Sequence, residues 1–374
     1  MKTITVIGTR PEAIKMAPII KEMDLYSEIK NIVCLTGQHG QMLDQILNLF
    51  KIRPDYNLNI FKDGQSLTDI TIASIKGLEA IIKKEKPHIL LVQGDTSTVF
   101  AGALAGFYQG IKIGHVEAGL RTGNIYSPYP EEANRKLTGI ISNFHFVPTQ
   151  TNRRNLLNEG YDDGNIYVTG NTVIDSLRYS VKDKYIFDKD LLNGVEYDLE
   201  RVILLTSHRR ENIGRPMENI FKAINDITNL FDDVRVIFPL HPNPKVRDIA
   251  KAFMGRNSKI HLIEPLDYEP FTNLMARCHL VVTDSGGIQE EAPSLGKPVL
   301  VVRKETERPE GVQSGTARLV GTSYESIFKN LEILLRDNNQ YDSMAKSINP
   351  YGDGKAGERI VKILLKIFKE NITL

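Results

Sequence analysis

Cysteine, tryptophan and net charge are all scarce in this sequence. Its 374 residues include two cysteines and no tryptophan, and the formal net charge is +1. Cys34 and Cys278 stand alone in apolar segments, so we interpret them as buried thiols rather than a disulfide or metal pair. The eight histidines are scattered without an HExxH motif or a Cys/His cluster, which argues against a zinc site. Acids and bases alternate along the chain, and this predicts neither a nucleic-acid nor a membrane-surface partner.

Long apolar runs are also missing. No run approaches the ~18 residues that a transmembrane helix requires, and Met1-Lys2 leads directly into a short strand pattern instead of a signal peptide. These features predict a soluble cytoplasmic protein. With 41% hydrophobic residues and this length, the chain is expected to build two domains with full cores.

The stretch 279–302 is the most informative part of the sequence. Leu280–Thr283 predicts a buried strand, and a turn containing Ser285, Gly286 and Gly287 leads into a helix. A glycine turn before a helix leaves backbone N–H groups and the positive end of the helix dipole free for an anion. The alternative is an ordinary strand–helix turn, because glycine-rich turns are common in α/β proteins.

Residues near this turn favour a nucleotide diphosphate as the anion. Glu290 and Glu291 lie one turn further along the helix, where a carboxylate can accept from two ribose hydroxyls. Arg308 follows the next strand, and a guanidinium suits two-pronged binding of a diphosphate. Phe271 is a candidate to cover a flat base, although core packing is an equally good interpretation.

The first strand, Thr3–Ile7, ends in Gly8-Thr9-Arg10-Pro11-Glu12. Only one glycine is present, so the GxGxxG fingerprint of dinucleotide binding is absent. Arg10 and Lys15 place two cations in the first turns of the following helix, where they oppose its dipole. This conflict predicts an anionic ligand; the alternative is a pair of solvated cations.

Acids follow three consecutive β-elements of the first half. Asp95 follows the strand Ile89–Gln93, Glu117 follows Lys112–Val116, and Glu131 lies in the first turn of a later helix. Parallel strands bring such loops to one rim of the sheet, where open α/β sheets bind ligands. Two local alternatives exist: Asp95 caps the helix that follows it, or Glu131 pairs with Arg135 four residues later.

The strand–helix pattern then restarts. The predicted fold class is α/β, with two doubly wound, Rossmann-like domains facing a cleft. The predicted boundaries are 1–171 plus 356–374 for the N-terminal domain with the acids, 172–200 for a linker, and 201–355 for the C-terminal, nucleotide-binding domain. The final amphipathic helix is expected to return to the first domain.

Six motifs stand in order along nearly the whole chain: Gly8–Glu12, Gly94–Thr96, His115–Arg121, Pro130–Arg135, His208–Asn212 and Asp284–Glu291. Together they resemble the bacterial non-hydrolysing UDP-N-acetylglucosamine 2-epimerases. The resemblance implies the two-domain, glycosyltransferase-B-like fold and a homodimer that interconverts UDP-GlcNAc and UDP-ManNAc without a metal or nicotinamide cofactor. It also implies a supply of ManNAc for cell-envelope polysaccharide.

The resemblance also implies residue roles. Asp95 and Glu131 handle the proton at C2 of the sugar, with Glu117 and His208 in support. The substrate-binding residues are then Arg10, Lys15, Phe271, Ser285, Gly286, Gly287, Glu291 and Arg308. A second, activating UDP-GlcNAc is implied at Gln38, Gln41, Gln65, Arg209 and His241, together with Glu131. Some relatives have an arginine before Gln65, where this chain has Gly64.

Two rival functions fit parts of the sequence. A UDP-sugar glycosyltransferase of the same fold would share the nucleotide half but needs an acceptor site. A non-catalytic nucleotide-sugar sensor would keep Ser285, Gly287 and Arg308 without needing Asp95 and Glu131. The acids favour proton transfer, and therefore the epimerase.

Overall fold

A computed structural model describes residues 1–37 and 41–372. The chain divides into two compact units. Unit 1 comprises Met1–Tyr179 and the segment from Tyr351 onward, and unit 2 comprises Ser180–Pro350. Within the described ranges, no helix is long and apolar enough to cross a membrane. Cys34 and Cys278 are both buried and unbridged, which confirms the prediction of buried thiols.

Unit 1 contains a seven-stranded sheet in the order β3-β2-β1-β4-β5-β6-β7, and every pairing is parallel. Its strands are β1 Lys2–Ile7, β2 Lys30–Leu35, β3 Tyr56–Asn57, β4 Ile89–Gln93, β5 Lys112–Val116, β6 Phe144–Val147 and β7 Ile166–Val168. Its first helices are α1 Arg10–Met23, α2 Gln41–Leu49, α3 Leu67–Glu85, α4 Ser97–Tyr108, α5 Glu131–Ile141, α6 Gln150–Asn158 and α7 Thr172–Ser180. The strand order reverses beside β1, as in a doubly wound sheet.

The central strands of unit 1 are apolar on both faces because helices cover both sides of a parallel sheet. Ile4, Val6, Leu90 and Val92 are almost completely buried and form one core with Leu78 of α3. In the register of the sheet, Thr5 of β1 lies between Val33 of β2 and Leu91 of β4. This packing fixes where each strand ends, and therefore where the loops that follow the strands begin.

Unit 2 contains a six-stranded parallel sheet in the order β10-β9-β8-β11-β12-β13. Its strands are β8 Arg201–Thr206, β9 Val234–Pro239, β10 Ile260–Ile263, β11 Leu280–Thr283, β12 Val299–Val301 and β13 Ala317–Leu319. Its helices are α8 Asp190–Asn193, α9 Arg215–Leu230, α10 Pro244–Met254, α11 Tyr268–Arg277, α12 Gly286–Ser294, α13 Pro309–Gln313, α14 Tyr324–Arg336 and α15 Asn338–Ala345. The order again reverses beside the first strand, here β8, so the α/β class with two doubly wound sheets is confirmed.

The last helix, α16 Ala356–Ile372, belongs to unit 1 and packs on α1. Ile360, Val361 and Leu364 form its buried face. At its start, the Gly357 N–H donates to Asp175 Oδ1 of α7 at 2.8 Å. Unit 1 is therefore built from both ends of the described chain.

The segment between the two sheets is shared by the units. Helix α7 lies in unit 1, while the residues from Ser180 onward lie in unit 2. Asn273 of α11 holds this second part: its Nδ2 donates to the Ser180 carbonyl at 2.7 Å, and its Oδ1 accepts from the Lys182 N–H at 2.8 Å. Ser180–Lys182 is thus fixed to the body of unit 2.

Candidate active site

Asp95 lies just beyond the carboxyl end of β4 and is bound by the first turns of α5. Its Oδ2 accepts from Arg135 Nε at 2.9 Å and lies 2.8 Å from Arg135 Nη2. Asn134 Nδ2 donates to the Asp95 carbonyl at 2.9 Å. The carboxylate is partly exposed, so one oxygen of a fixed and charge-paired group remains near solvent.

The structure rules out both local alternatives for Asp95 and Glu131. Helix α4 is capped by Thr96, whose Oγ1 accepts from the Val99 N–H at 3.3 Å, and not by Asp95. Arg135 pairs with Asp95 and with Glu132, three residues before it, instead of Glu131. Glu132 is completely buried and accepts from Arg135 Nη1 at 3.0 Å. The buried acid attracts the guanidinium because the ion pair is stronger away from water.

The charges around Arg135 hold it in the cationic form. Burial alone would lower the pKa of Arg135, but the carboxylates of Asp95 and Glu132 outweigh burial and raise it above its usual range. The charged guanidinium donates to Asp95 Oδ2 and thereby fixes the position of this carboxylate at the end of β4.

Glu117 follows β5 and is surrounded by donors. Lys15 Nζ lies 2.6 Å from both carboxylate oxygens, Asn171 Nδ2 donates at 2.9 Å, and Gln93 Nε2 makes a further hydrogen bond. Its backbone has a φ of 61°, which is rare for residues other than glycine and is concentrated at functional sites. The buried Glu117 thus holds Lys15 in place. The positive charge of Lys15, which was expected to bind an anionic ligand, is balanced by Glu117 within unit 1.

Arg10 and Glu131 have side chains that are less constrained. Both are partly exposed at the start of a helix, Arg10 in α1 and Glu131 in α5. Within the part of the chain that the structure describes, neither side chain makes a hydrogen bond or an ion pair with another residue. A cation and an acid of this kind are available for a ligand.

Glu12 is a residue that the sequence analysis missed. Its buried carboxylate accepts from the Gly8 N–H at 2.6 Å and from the hydroxyls of Thr9 and Thr96 at 2.8 Å. Burial raises its pKa from 4.5 to about 7. The spacing Thr9…Glu12 is that of a capping box and was an available signal. Glu12 joins the loop of Arg10 to the loop of Asp95.

His115 supports the same edge of the sheet. Its ring lies on β5 and Nε2 is 2.7 Å from the Gly94 carbonyl, next to Asp95. Burial lowers its pKa to about 4, so the imidazole is neutral at pH 7 and donates from Nε2. This contact fixes the Gly94 turn, whose φ of 85° favours glycine.

In unit 2, the predicted anion site is the N-terminus of α12. Ser285 is the N-cap residue, and its side chain makes no capping hydrogen bond. A Cβ added at Gly286 would lie 4.0 Å from Nη2 of both Arg209 and Arg308, and one added at Gly287 would meet nothing within 4 Å. Backbone donors and two guanidinium groups therefore converge on open space, as a diphosphate site requires.

The two glutamates of α12 have different surroundings. Glu290 forms an ion pair with Arg308 Nε, which holds the guanidinium beside the helix start. Glu291 lies near Tyr268, a partly exposed tyrosine with a buried hydroxyl, whose pKa is raised well above its usual range by desolvation and by the Glu291 charge. Phe271 is partly exposed on α11. Glu291 and Phe271 stay candidates for contacts to ribose and base.

Asp284 is a second residue that the sequence analysis left without a role. It is completely buried at the end of β11, directly before Ser285. Its Oδ2 accepts from the backbone N–H groups of His208 at 2.9 Å and Arg209 at 3.0 Å. The loop after β8 is thereby tied to the start of α12. No local sequence pattern indicates such a contact across 75 residues.

The residues expected to form a regulatory site fall in both units. Gln38 lies outside the described residues, and Gln41 begins α2 without a described side chain. Gln65 is partly exposed, and its Oε1 accepts from the Lys62 N–H at 3.0 Å. His241 stacks on His208 with ring centroids 5.3 Å apart. Arg209 lies beside Gly286, as described above.

The glycine at position 64 has a structural explanation. Gly64 has a φ of 74° in the turn before α3, and a Cβ at this position would meet nothing within 4 Å. The backbone conformation, and not a lack of space, therefore favours glycine here.

Comparisons with known proteins show similarity over nearly the whole chain. A family model described as UDP-N-acetylglucosamine 2-epimerase matches residues 21–365. The UDP-N-acetylglucosamine 2-epimerase of Bacillus subtilis is 53% identical over 365 residues, which cover 98% of this chain and 95% of the relative. That of Escherichia coli K12 is 50% identical over 372 residues, which cover 97% and 98%.

A similar solved structure is the UDP-GlcNAc 2-epimerase of Neisseria meningitidis bound to UDP-GlcNAc. It has a TM-score of 0.89 and 48% identity, and the match covers 98% of this chain and 100% of that one. The similarity extends over both α/β units and confirms the expected fold type.

Proposed function

Because the chain belongs to the UDP-N-acetylglucosamine 2-epimerase family, we propose that it interconverts UDP-GlcNAc and UDP-ManNAc by eliminating UDP and adding it back. The hydrogen at C2 of the sugar is not acidic, since no carbonyl adjoins it. The C1–O bond to UDP must therefore weaken first, which builds positive charge at C1 as in glycoside cleavage. The electron pair of this bond leaves with UDP, and loss of the C2 proton forms the C1=C2 double bond of a glycal.

The reverse steps complete the inversion. A proton adds to C2 from the opposite face, and UDP reattaches at C1. Both steps conserve atoms and electrons without a redox partner. The unit 2 groups suited to the departing diphosphate are the α12 N-terminus and Arg308, which stabilise negative charge as it develops. Arg10 of unit 1 is a further cation suited to this role.

Two faces of one carbon require two groups that handle protons. We assign these roles to Asp95 and Glu131. The side chain of Asp95 is held in place by its ion pair with Arg135, and Glu131 is partly exposed at the start of α5. Glu117 acts on the site through Lys15, to which it is bound by both oxygens. His208 supports the reaction from unit 2.

The observation that carries this proposal is the Asp95–Arg135 ion pair at the carboxyl end of β4. A base fixed at the ligand-binding edge of a parallel sheet is what C2 deprotonation needs. Neither a sensor nor a transferase requires it.

The test is proton NMR of the purified protein with UDP-GlcNAc in D₂O. We expect UDP-ManNAc to form and deuterium to enter at C2 of both sugars. Accumulation of UDP and free sugar would instead identify a hydrolase. No reaction in the absence of an acceptor would favour the transferase or the sensor and would remove the roles assigned to Asp95 and Glu131.

A homodimer is a further proposal, and exposed apolar side chains of unit 1 support it. Phe107 and Tyr108 end α4, Leu137 and Ile140 lie on the adjacent α5, and all four are exposed. Monomeric proteins rarely expose large contiguous apolar patches. Light scattering should give the mass of two chains, and Ile140→Glu should shift it toward one.

Activation by a second UDP-GlcNAc is the proposed role of Gln38, Gln41, Gln65, Arg209 and His241. We expect the rate curve to be sigmoidal for the wild type and hyperbolic for Gln41→Ala. A hyperbolic wild-type curve would contradict regulation. Supply of ManNAc to envelope polysaccharide and a cytoplasmic location stay predictions from the sequence.

A further inference from the structure

The two carboxylate oxygens of Asp284 accept different numbers of hydrogen bonds. Oδ2 accepts from Ser207 Oγ at 3.0 Å, the His208 N–H at 2.9 Å, the Arg209 N–H at 3.0 Å and Asn212 Nδ2 at 3.0 Å. Oδ1 has one backbone contact, at 3.2 Å from the His208 nitrogen. The acceptor capacity left on the carboxylate therefore lies on Oδ1.

Oδ1 faces the imidazole of His208, with Nδ1 3.4 Å away. If Nδ1 carried a lone pair, it would repel the carboxylate oxygen; if it carries the proton, the contact is attractive. The separation exceeds that of a standard hydrogen bond, but catalytic hydrogen bonds are often long before substrate binds. The contact thus selects the tautomer protonated on Nδ1.

His241, stacked on His208, has the opposite arrangement. Its Nδ1 accepts from the Asn243 N–H at 3.1 Å, so the proton of the neutral ring lies on Nε2. The two stacked imidazoles, whose planes are 11° from parallel, therefore present different nitrogens to their surroundings. His241 therefore serves as an internal control when the tautomer of His208 is measured.

We propose that Asp284 is a positioning residue that holds His208 in the Nδ1–H tautomer, so that the Nε2 lone pair accepts a proton or a hydrogen bond from the substrate. The catalytic part of this inference rests on the proposed epimerase function. An acid that orients a histidine in this way is the third member of the Ser-His-Asp arrangement. Here the carboxylate also fixes the His208–Arg209 backbone beside α12.

The charged groups around His208 agree with a neutral ring. Burial lowers its pKa, Asp284 and Glu211 oppose this effect, and His241 and Arg209 add to it. A neutral imidazole cannot contribute a positive charge to the diphosphate. His208 therefore serves as an acceptor, and the positive charge at the start of α12 comes from Arg209 and Arg308.

The tautomer can be measured in the wild-type protein, without any assumption about catalysis. Long-range ¹H–¹⁵N spectra of protein labelled at histidine distinguish protonated from unprotonated ring nitrogens, and His208→Gln and His241→Gln assign the two rings. At pH 8 we expect Nδ1–H for His208 and Nε2–H for His241. An Nε2–H signal from His208 would overturn the proposal.

The kinetic test is a double-mutant cycle of Asp284→Asn and His208→Gln. If Asp284 acts through His208, Asp284→Asn should lower kcat at least about 10-fold alone and less than about twofold in the His208→Gln background. A loss of similar size in both backgrounds would make Asp284 a purely structural residue and overturn the proposal. Should Asp284→Asn not fold, the wild-type tautomer decides. A wild type without epimerase activity would contradict the proposed function but leave the tautomer measurement valid.

Discussion

Units 1 and 2 share a doubly wound parallel sheet, yet the edges of their sheets carry opposite chemistry. In unit 1, acids beyond β4 and β5 are held by cations: Asp95 by Arg135 and Glu117 by Lys15. In unit 2, the edge presents backbone donors of α12 flanked by Arg209 and Arg308. The same fold therefore presents charge-paired acids at one sheet edge and backbone donors with guanidinium groups at the other, because the loops determine the chemistry.

The largest effect should come from removing the acid of unit 1. Asp95→Asn keeps the shape of the side chain but cannot take a proton, so we expect kcat to fall about 10²- to 10⁴-fold. UDP affinity, measured by calorimetry, should change less than about twofold. Asp163→Asn is the matched control, since it breaks an ion pair with Arg153 on the surface of the same unit. Equal losses in both variants would contradict a catalytic role for Asp95.

A smaller effect should come from the anion site of unit 2. Arg308→Lys keeps the charge but loses the planar fork, and we expect UDP to bind about 10- to 100-fold more weakly. Arg318→Lys, whose arginine donates to Asn330 Oδ1 at 2.9 Å, tests the same change elsewhere in unit 2. Unchanged binding in Arg308→Lys would show that the planar fork of Arg308 is not needed to hold the diphosphate.

Two glycines extend the comparison from charge to backbone. A Cβ at Gly119 of unit 1 would lie 2.4 Å from the Asn152 carbonyl oxygen, and its φ is 83°. Gly119→Ala should therefore lower the free energy of unfolding by about 2–4 kcal/mol. Gly286→Ala meets no such clash and should leave the melting temperature within a few degrees while raising KM about 10-fold. The opposite result, with a raised KM for Gly119→Ala and a loss of stability for Gly286→Ala, would contradict the roles given to these two glycines.

The smallest effect concerns the pH dependence of unit 1. The pKa of Glu12 is about 7 in the folded protein and ordinarily 4.5. Between these two pH values the folded state binds more protons at Glu12 than the unfolded state does. The contribution of Glu12 to stability is therefore fully present below about pH 4.5 and is lost as the pH rises through about 7. Denaturation of Glu12→Gln should lack this decline, a difference on the order of 1 kcal/mol or more. If the free energy of unfolding changed with pH in the same way in the wild type and in Glu12→Gln, the raised pKa of Glu12 would be contradicted.

Features set by neighbouring residues could be predicted from the sequence. The strand, glycine turn and helix around Ser285 follow from apolar runs and from the backbone freedom of glycine. The positions of Asp95 and Glu117 at strand ends follow from the parallel sheet. Each of these depends on residues within about ten positions.

Partners distant in the sequence could not be predicted. Helical spacing suggested Glu131 for Arg135, but the guanidinium instead binds Asp95, 40 residues away, and the buried Glu132. Lys15 was expected to bind an anionic ligand. In the structure it pairs with Glu117, 102 residues later in the chain. Tertiary burial strengthens such pairs beyond any local preference.

The return of α16 to unit 1 has a consequence for synthesis. The N–H of Asn171 donates to the Tyr351 carbonyl, and α16 packs on α1. Residues 1–179 therefore cannot complete unit 1 until α16 has been synthesised. Unit 2 is continuous and lies between the two parts of unit 1 in the chain. During translation, the surface of α1 that α16 covers should therefore stay uncovered until α16 itself has been made.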